Sequence, residues 1–153
     1  MITLAILDAA RLDALIAAPP TDLLKEVVTA TQALYAATGA AAPWLSYLAE
    51  RDAAPVGICS FKGPPHEGLV EIAYFTFPGH EGQGIATQMT VALLRIAFAD
   101  SSIKAVLAHT LPEENASTRV LRHAGFRLMG LIDDPDDGTV WRWGMLHEGY
   151  RPS

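Results

Sequence analysis

The sequence predicts an α/β domain: a mixed sheet of six or seven strands with helices on both faces. Three observations predict it. Short runs rich in β-branched and aromatic residues are interleaved with segments of 3.6-residue apolar periodicity. One helical segment, residues 83–99, is apolar nearly all round and is expected to be buried on both sides. Half of the 153 residues are hydrophobic, and one domain of that length, residues 1–153, buries roughly 70% of its unfolded-chain surface.

The elements follow in order. Residues 2–7, ITLAIL, read as a strand, and residues 11–18 and 21–38 as helices. In the second helix Leu23, Leu24, Val27, Val28, Thr31 and Leu34 form the apolar stripe, bracketed by Pro19-Pro20 and Gly39. Residues 44–51 and 55–61 are apolar runs around Asp52-Ala53-Ala54, a hairpin signal without the usual glycine. Residues 62–68, KGPPHEG, are a loop, and residues 69–77 a strand. The helix at 83–99 puts Ile85, Met89, Ala92, Leu93 and Ile96 on one face, broadened by Val91, Leu94 and Phe98. A strand at 103–109 and a short helix at 114–124 follow, the helix closed by Gly125 at C′. Strands at 126–132 and 139–146 flank the acidic stretch 133–138, DDPDDG.

Composition narrows the function classes. A net charge of −6 and a pI near 5.2 argue against nucleic acid as partner and suit a cationic amine. The first ten residues carry no Lys or Arg, and Asp8, Arg11 and Asp13 interrupt the apolar start, which is no signal-peptide pattern. No run approaches the ~18–20 apolar residues of a membrane span, so no membrane partner is expected and the cytoplasm is the default location. Cys59 is the one cysteine and lies in an apolar strand pattern, which makes it a small core residue.

Residues 71–99, EIAYFTFPGHEGQGIATQMTVALLRIAFA, carry the chemistry. A β-prone run breaks at Pro78-Gly79, then Gly82-Gln83-Gly84-Ile85-Ala86 leads into the helix. Glycines allow close backbone approach, and the first free N–H groups of a helix attract an anion such as a phosphate. A P-loop would need Lys and Ser or Thr after Gly84, where Ile85 and Ala86 stand. A dinucleotide fingerprint would need glycine where Thr87 stands.

The segment 78–86, PGHEGQGIA, resembles the Q/R-x-x-G-x-G/A signature of the GNAT superfamily of acetyl-CoA-dependent N-acetyltransferases. Further on, residues 107–126, LAHTLPEENASTRVLRHAGF, resemble the second signature of that superfamily. The chain is most similar to the branch of the ribosomal-protein N-terminal acetyltransferases. The resemblance covers residues 55–147; the first 50 residues match only in pattern. It departs at the first signature position, where Gln or Arg is usual and Glu81 stands, placing a negative charge beside the expected pyrophosphate.

The resemblance implies a GNAT-like acyltransferase fold, acetyl-CoA as co-substrate, and an amine acceptor, either a small molecule or a protein N-terminus. It implies that Gly82, Gln83, Gly84, Ile85, Ala86 and Thr87 hold the pyrophosphate. It implies that the two strands ending near Phe77 and His109 splay apart, and that the backbones of Phe75, Thr76 and Phe77 bind pantetheine and the acetyl carbonyl. Glu71 is then the general base; alone it reads equally as a strand-end carboxylate in water. Alternation puts Glu71, Ala73, Phe75 and Phe77 on one apolar face, where desolvation would make Glu71 a stronger base. His109 is a second base candidate or a hydrogen-bonded structural imidazole. Asn115 and Ser117 are good N-caps; the resemblance adds a pantetheine bond for Asn115 and thiolate stabilisation for Ser117, since no Tyr occupies residues 120–122. Arg119, Arg122, His123 and Arg127 form a basic patch from which Arg122 could approach a phosphate. Trp141 and Trp143 belong to the core or to a homodimer interface. His66, His80, His123 and His147 lack metal-ligand spacing, so no metal is expected. The alternative to an enzyme is an acyl-CoA-binding sensor or interaction protein of the same fold.

Overall fold

A computed structural model describes residues 1–18 and 21–151; the Pro19-Pro20 break lies outside the described residues. Seven strands form one sheet in the order β1-β2-β3-β4-β5-β7-β6. The strands are β1 (Thr3–Ile6), β2 (Ser46–Arg51), β3 (Ala54–Phe61), β4 (Leu69–Thr76), β5 (Ala105–Thr110), β6 (Arg127–Asp134) and β7 (Gly138–Leu146). The helices are α1 (Ala9–Ala17), α2 (Asp22–Thr38), α3 (Ile85–Phe98) and α4 (Ala116–Ala124). Only β4 and β5 pair in parallel, and α3 makes the crossover between them.

Two cores lie on opposite faces of the sheet. On one face Ile85, Met89, Leu93 and Leu121 of α3 and α4 pack on Cys59, Phe61, Ile72, Val106 and Trp143. Within α3 only Arg95 is exposed, as an apolar helix pressed between sheet and α4 requires. On the other face Leu12, Leu24 and Val28 of α1 and α2 pack on Leu7, Leu48 and Phe77. Trp143 is fully buried, and its indole N–H donates to Thr110 Oγ1 at 3.0 Å, which places it in the core. Trp141 packs partly buried beside it.

Two turns are tighter than the sequence suggests. Asp52 and Ala53 both take left-handed φ angles, 53° and 64°, so a two-residue hairpin turn forms without glycine and Ala54 already belongs to β3. The acidic stretch after residue 132 is half strand, since β6 runs to Asp134 and β7 starts at Gly138. The Asp134 carboxylate accepts the N–H groups of Asp136 and Asp137, which closes the turn.

One pairing detail positions the site. The β4–β5 ladder ends at Ile72–Ala108. Yet β4 continues against β3 to Thr76, and β5 continues against β7 to Thr110. The two central strands therefore part beyond Ile72 and Ala108.

Candidate cofactor groove and acid cluster

The pleat decides which backbone groups face this opening. Glu71 accepts from the Lys62 N–H through its carbonyl and Phe77 donates its N–H to Val56, both across to the β3 side. Odd-numbered residues of β4 thus spend their backbone on β3, and Tyr74 and Thr76 direct theirs into the opening. Thr76 was expected there; Phe75 and Phe77 were expected too, but their main chain turns the other way. Phe77 is moreover buried in the α1–α2 core. Tyr74, unnoticed in the sequence, is the residue that alternation could have found.

At one end of the opening lies the glycine turn. Gly79, Gly82 and Gly84 have φ angles of 92°, 73° and 76°, which L side chains rarely adopt. Asp8, Thr21 and Asn115 cap α1, α2 and α4 with side-chain oxygens, whereas Gly84 starts α3 without one. The first amides of α3 are left for another acceptor. A groove of about 620 Å³ runs from here, lined by Tyr74, Phe75, Thr76, His80, Glu81, Gly82, residues 84–87, Ser117, Arg119 and His123. The Tyr74 hydroxyl donates to the Ser117 carbonyl at 3.2 Å, and burial raises the phenol's pKa, keeping its proton on. Nδ1 of His80 is buried without a hydrogen-bond partner among the described residues.

Besides Phe77, three residues expected at the cofactor do not line this groove. Gln83 is absent from its wall. Asn115 is spent on a capping box: its Oδ1 accepts from the Thr118 N–H at 3.1 Å, and its N–H donates to Thr118 Oγ1 at 2.9 Å. Arg122 donates to Glu114 at 2.6 Å and lies over the Trp143 ring, 4.9 Å from its centroid. Glu81 does not turn fully to solvent. It lines the groove, with Oε1 accepting from the Gly79 N–H at 2.6 Å. Main-chain N–H groups of Glu81 itself and of Gly79 hold its carboxyl below the usual range.

At the other end lies a cluster of charge. Glu71 does not stand on an apolar surface: Lys62 Nζ is 3.2 Å from Glu71 Oε2 and 3.2 Å from Asp137 Oδ2. His109 Nδ1 lies 3.2 Å from Asp137 Oδ2, 3.4 Å from Glu71 Oε2 and 4.0 Å from Asp134 Oδ1. Its other nitrogen, Nε2, accepts from Arg142 Nε at 3.1 Å. A guanidinium only donates, so the neutral imidazole carries its proton on Nδ1 and gives it to the carboxylates. The His109 N–H and then the Lys62 ammonium hold the Asp137 carboxyl below the usual range, against the cost of partial burial. Burial disfavours charge on Lys62, but Glu71 and Asp137 outweigh it and raise its pKa. The ligand atoms of Glu71, His109 and Asp137 lie within 4.8 Å of one another, a spacing that could hold a metal ion and that the sequence did not reveal. Here Lys62 supplies the positive charge, and the proton on Nδ1 covers the histidine lone pair.

The model of the Acetyltransferase (GNAT) domain matches residues 12–127, well over half of the chain. The chain belongs to the GNAT acetyltransferase family. Solved structures of GNAT acetyltransferases share its fold. Aminoglycoside acetyltransferase AAC(6')-Ib in complex with coenzyme A is 18% identical, with a TM-score of 0.72 over 97% of this chain and 96% of the other. RimL, the ribosomal L7/L12 alpha-N-protein acetyltransferase, is 20% identical, with a TM-score of 0.69 over 95% and 90%. A spermidine N-acetyltransferase SpeG chimera from Vibrio cholerae and hSSAT is 14% identical, with a TM-score of 0.70 over 96% of each chain. No described helix of this GNAT chain is long and apolar enough to cross a membrane.

Proposed function

We propose that this chain is an N-acetyltransferase that moves an acetyl group from acetyl-CoA directly to a primary amine. The observation that carries the reading is the parting of β4 from β5, with an uncapped helix N-terminus at one end and a carboxylate cluster at the other. The groove fits a coenzyme A: it offers helix amides for a pyrophosphate and strand groups for a pantetheine amide. Bound acetyl-CoA supplies the activated acyl group. The amides at residues 84–87 hold its phosphates, and the backbones of Tyr74 and Thr76 orient the pantetheine. Glu71 takes the proton of the attacking amine, directly or through water. His109 keeps its Nδ1 proton and positions Glu71 and Asp137, so it is a positioning residue and not the base. The Ser117 hydroxyl or the Tyr74 phenol returns a proton to the leaving thiolate.

Structural neighbours are named for aminoglycoside, ribosomal-protein and spermidine acetylation, all amine acceptors, which supports the class of acceptor. The test is an amine panel with free CoA thiol as readout, beside calorimetry of acetyl-CoA binding. We expect micromolar-range binding and turnover with at least one amine. Tight acetyl-CoA binding with no turnover on any amine would replace the enzyme by a sensor of the same fold.

A further inference from the structure

A second cavity opens on the α2 side of the sheet. Its volume is about 380 Å³, and Leu23, Val27, Ala30, Leu34, Ile58 and Phe75 give it an apolar wall. Its polar groups are already satisfied. Ser46 Oγ and Ser60 Oγ bond to each other at 2.7 Å, and Thr31 Oγ1 donates to the Val27 carbonyl at 2.8 Å. Glu26 is the one charged residue of the wall. An occupant here is offered apolar surface and little else.

Phe75, 48% exposed, lines both this cavity and the cofactor groove. Ser60 of the cavity pairs in register with Ala73, which lines the pocket containing Glu71, His109 and Asp137. The front of β4 thus runs from Phe75 past the small Ala73 to Glu71, about 13 Å along the strand. The parting of β4 and β5 lies beside that path.

The charge at its far end is nearly balanced. Three carboxylates, Glu71, Asp134 and Asp137, surround His109, against the fixed cations Lys62 and Arg142. With His109 neutral, one negative charge remains, enough for one ammonium and not for a polycation. Lys62 also ties the β3–β4 loop to the β6–β7 turn through Asp137, at the end of the path beyond Glu71.

We infer that the acceptor is a small primary monoamine on an apolar body, an arylalkylamine in shape, with its body under α2 and its amine at Ala73 facing Glu71. This inference rests on the acetyltransferase reading and specifies its substrate. The cavity has about two and a half times the ~150 Å³ that accommodates a benzene ring, so a ring and short linker fit.

The test compares 2-phenylethylamine, a phenylalanyl tripeptide, spermidine and kanamycin as acceptors with the full chain. We expect kcat/KM for 2-phenylethylamine to exceed each of the others by about 10-fold or more. Ala30→Trp, at an exposed helix position, should fill the cavity and raise KM for 2-phenylethylamine about 10-fold. Its acetyl-CoA affinity should stay as in the parent. Turnover of spermidine or kanamycin as fast as the arylalkylamine overturns the inference and leaves the acetyltransferase reading standing. Faster turnover of the tripeptide overturns it in favour of a protein N-terminus. An unchanged KM in a folded Ala30→Trp variant removes the cavity from the acceptor site. Acetyl-CoA binding without turnover on any amine sinks the enzyme reading itself, and this inference with it.

Discussion

Glu71 and His109 look interchangeable as bases until their hydrogen bonds are traced. His109 Nε2 is taken by Arg142 and Nδ1 already carries a proton, so the carboxylate is the group free to accept one. Glu71→Gln keeps the shape and the contact with Lys62 but not the basicity. Turnover should fall by roughly 10²–10⁴-fold, with acetyl-CoA affinity unchanged. The loss should shrink at high pH, where the amine deprotonates unaided. Steady-state rates against pH, beside calorimetry, check this; wild-type turnover of Glu71→Gln at neutral pH would make Glu71 structural. Glu71 and His109 could be named from the sequence because each lies near the end of a strand beside a motif. Lys62 and Asp137 could not, because they meet across 75 positions of chain and their contact exists only once β6 and β7 fold back. Asn115 and Arg122 show the converse. Their local roles, a helix cap through Asn115 Oδ1 and an ion pair of Arg122 with Glu114, engage side chains that the resemblance assigned to the cofactor.

The glycine turn and α3 act as one element, because the turn sets both the start of the helix and the shape of the groove. Gly84 has φ +76°, and a Cβ added there would have Gln88 Nε2, at 4.0 Å, as its nearest neighbour. Gly39, at the end of α2, has φ +84°, and a Cβ added there would meet nothing within 4 Å. The two glycines differ in ψ, 9° at Gly84 against 156° at Gly39, so an added methyl costs about 1–2 kcal/mol at the left-handed Gly84 and more at Gly39, whose conformation is essentially confined to glycine. Only at Gly84 would it also stand where a phosphate approaches. Gly39→Ala should therefore lose more stability than Gly84→Ala in urea unfolding, while only Gly84→Ala loses acetyl-CoA affinity, by about 10-fold or more. Equal affinities in the two variants would separate the turn from the cofactor. At this scale the sequence was largely readable, since periodicity and punctuation located every strand and α-helix, though not the short 3-10 turn His147–Gly149. Its failures lay in turns: Asp52-Ala53 adopts a conformation usually left to glycine, and Asp134 closes with its side chain a turn that reads as a longer loop. In both cases tertiary pairing of the flanking strands overrides the local preference.

Across the whole molecule, the sheet divides two cores of unequal size, and the parting of β4 and β5 opens between them. The larger core, under α3 and α4, holds Trp143 and Cys59 fully buried. The smaller one, under α1 and α2, flanks the acceptor cavity and ties to the sheet partly through Tyr35, whose hydroxyl donates to the Leu7 carbonyl and accepts from the Ser46 N–H. Motion for substrate entry belongs on that side, because less apolar surface must be exposed to move it. Cys59 reports on the other side. Burial pushes its thiol pKa up to about 12, so the folded chain presents essentially no thiolate at pH 8. Labelling by a thiol reagent then requires the α3–α4 core to open. We expect the rate at pH 8 to rise with urea at the slope of global unfolding, and to fall when acetyl-CoA is added, because a ligand that binds only the folded state lowers the open population. Fast labelling in water, insensitive to both urea and acetyl-CoA, would mean that this core opens locally without global unfolding.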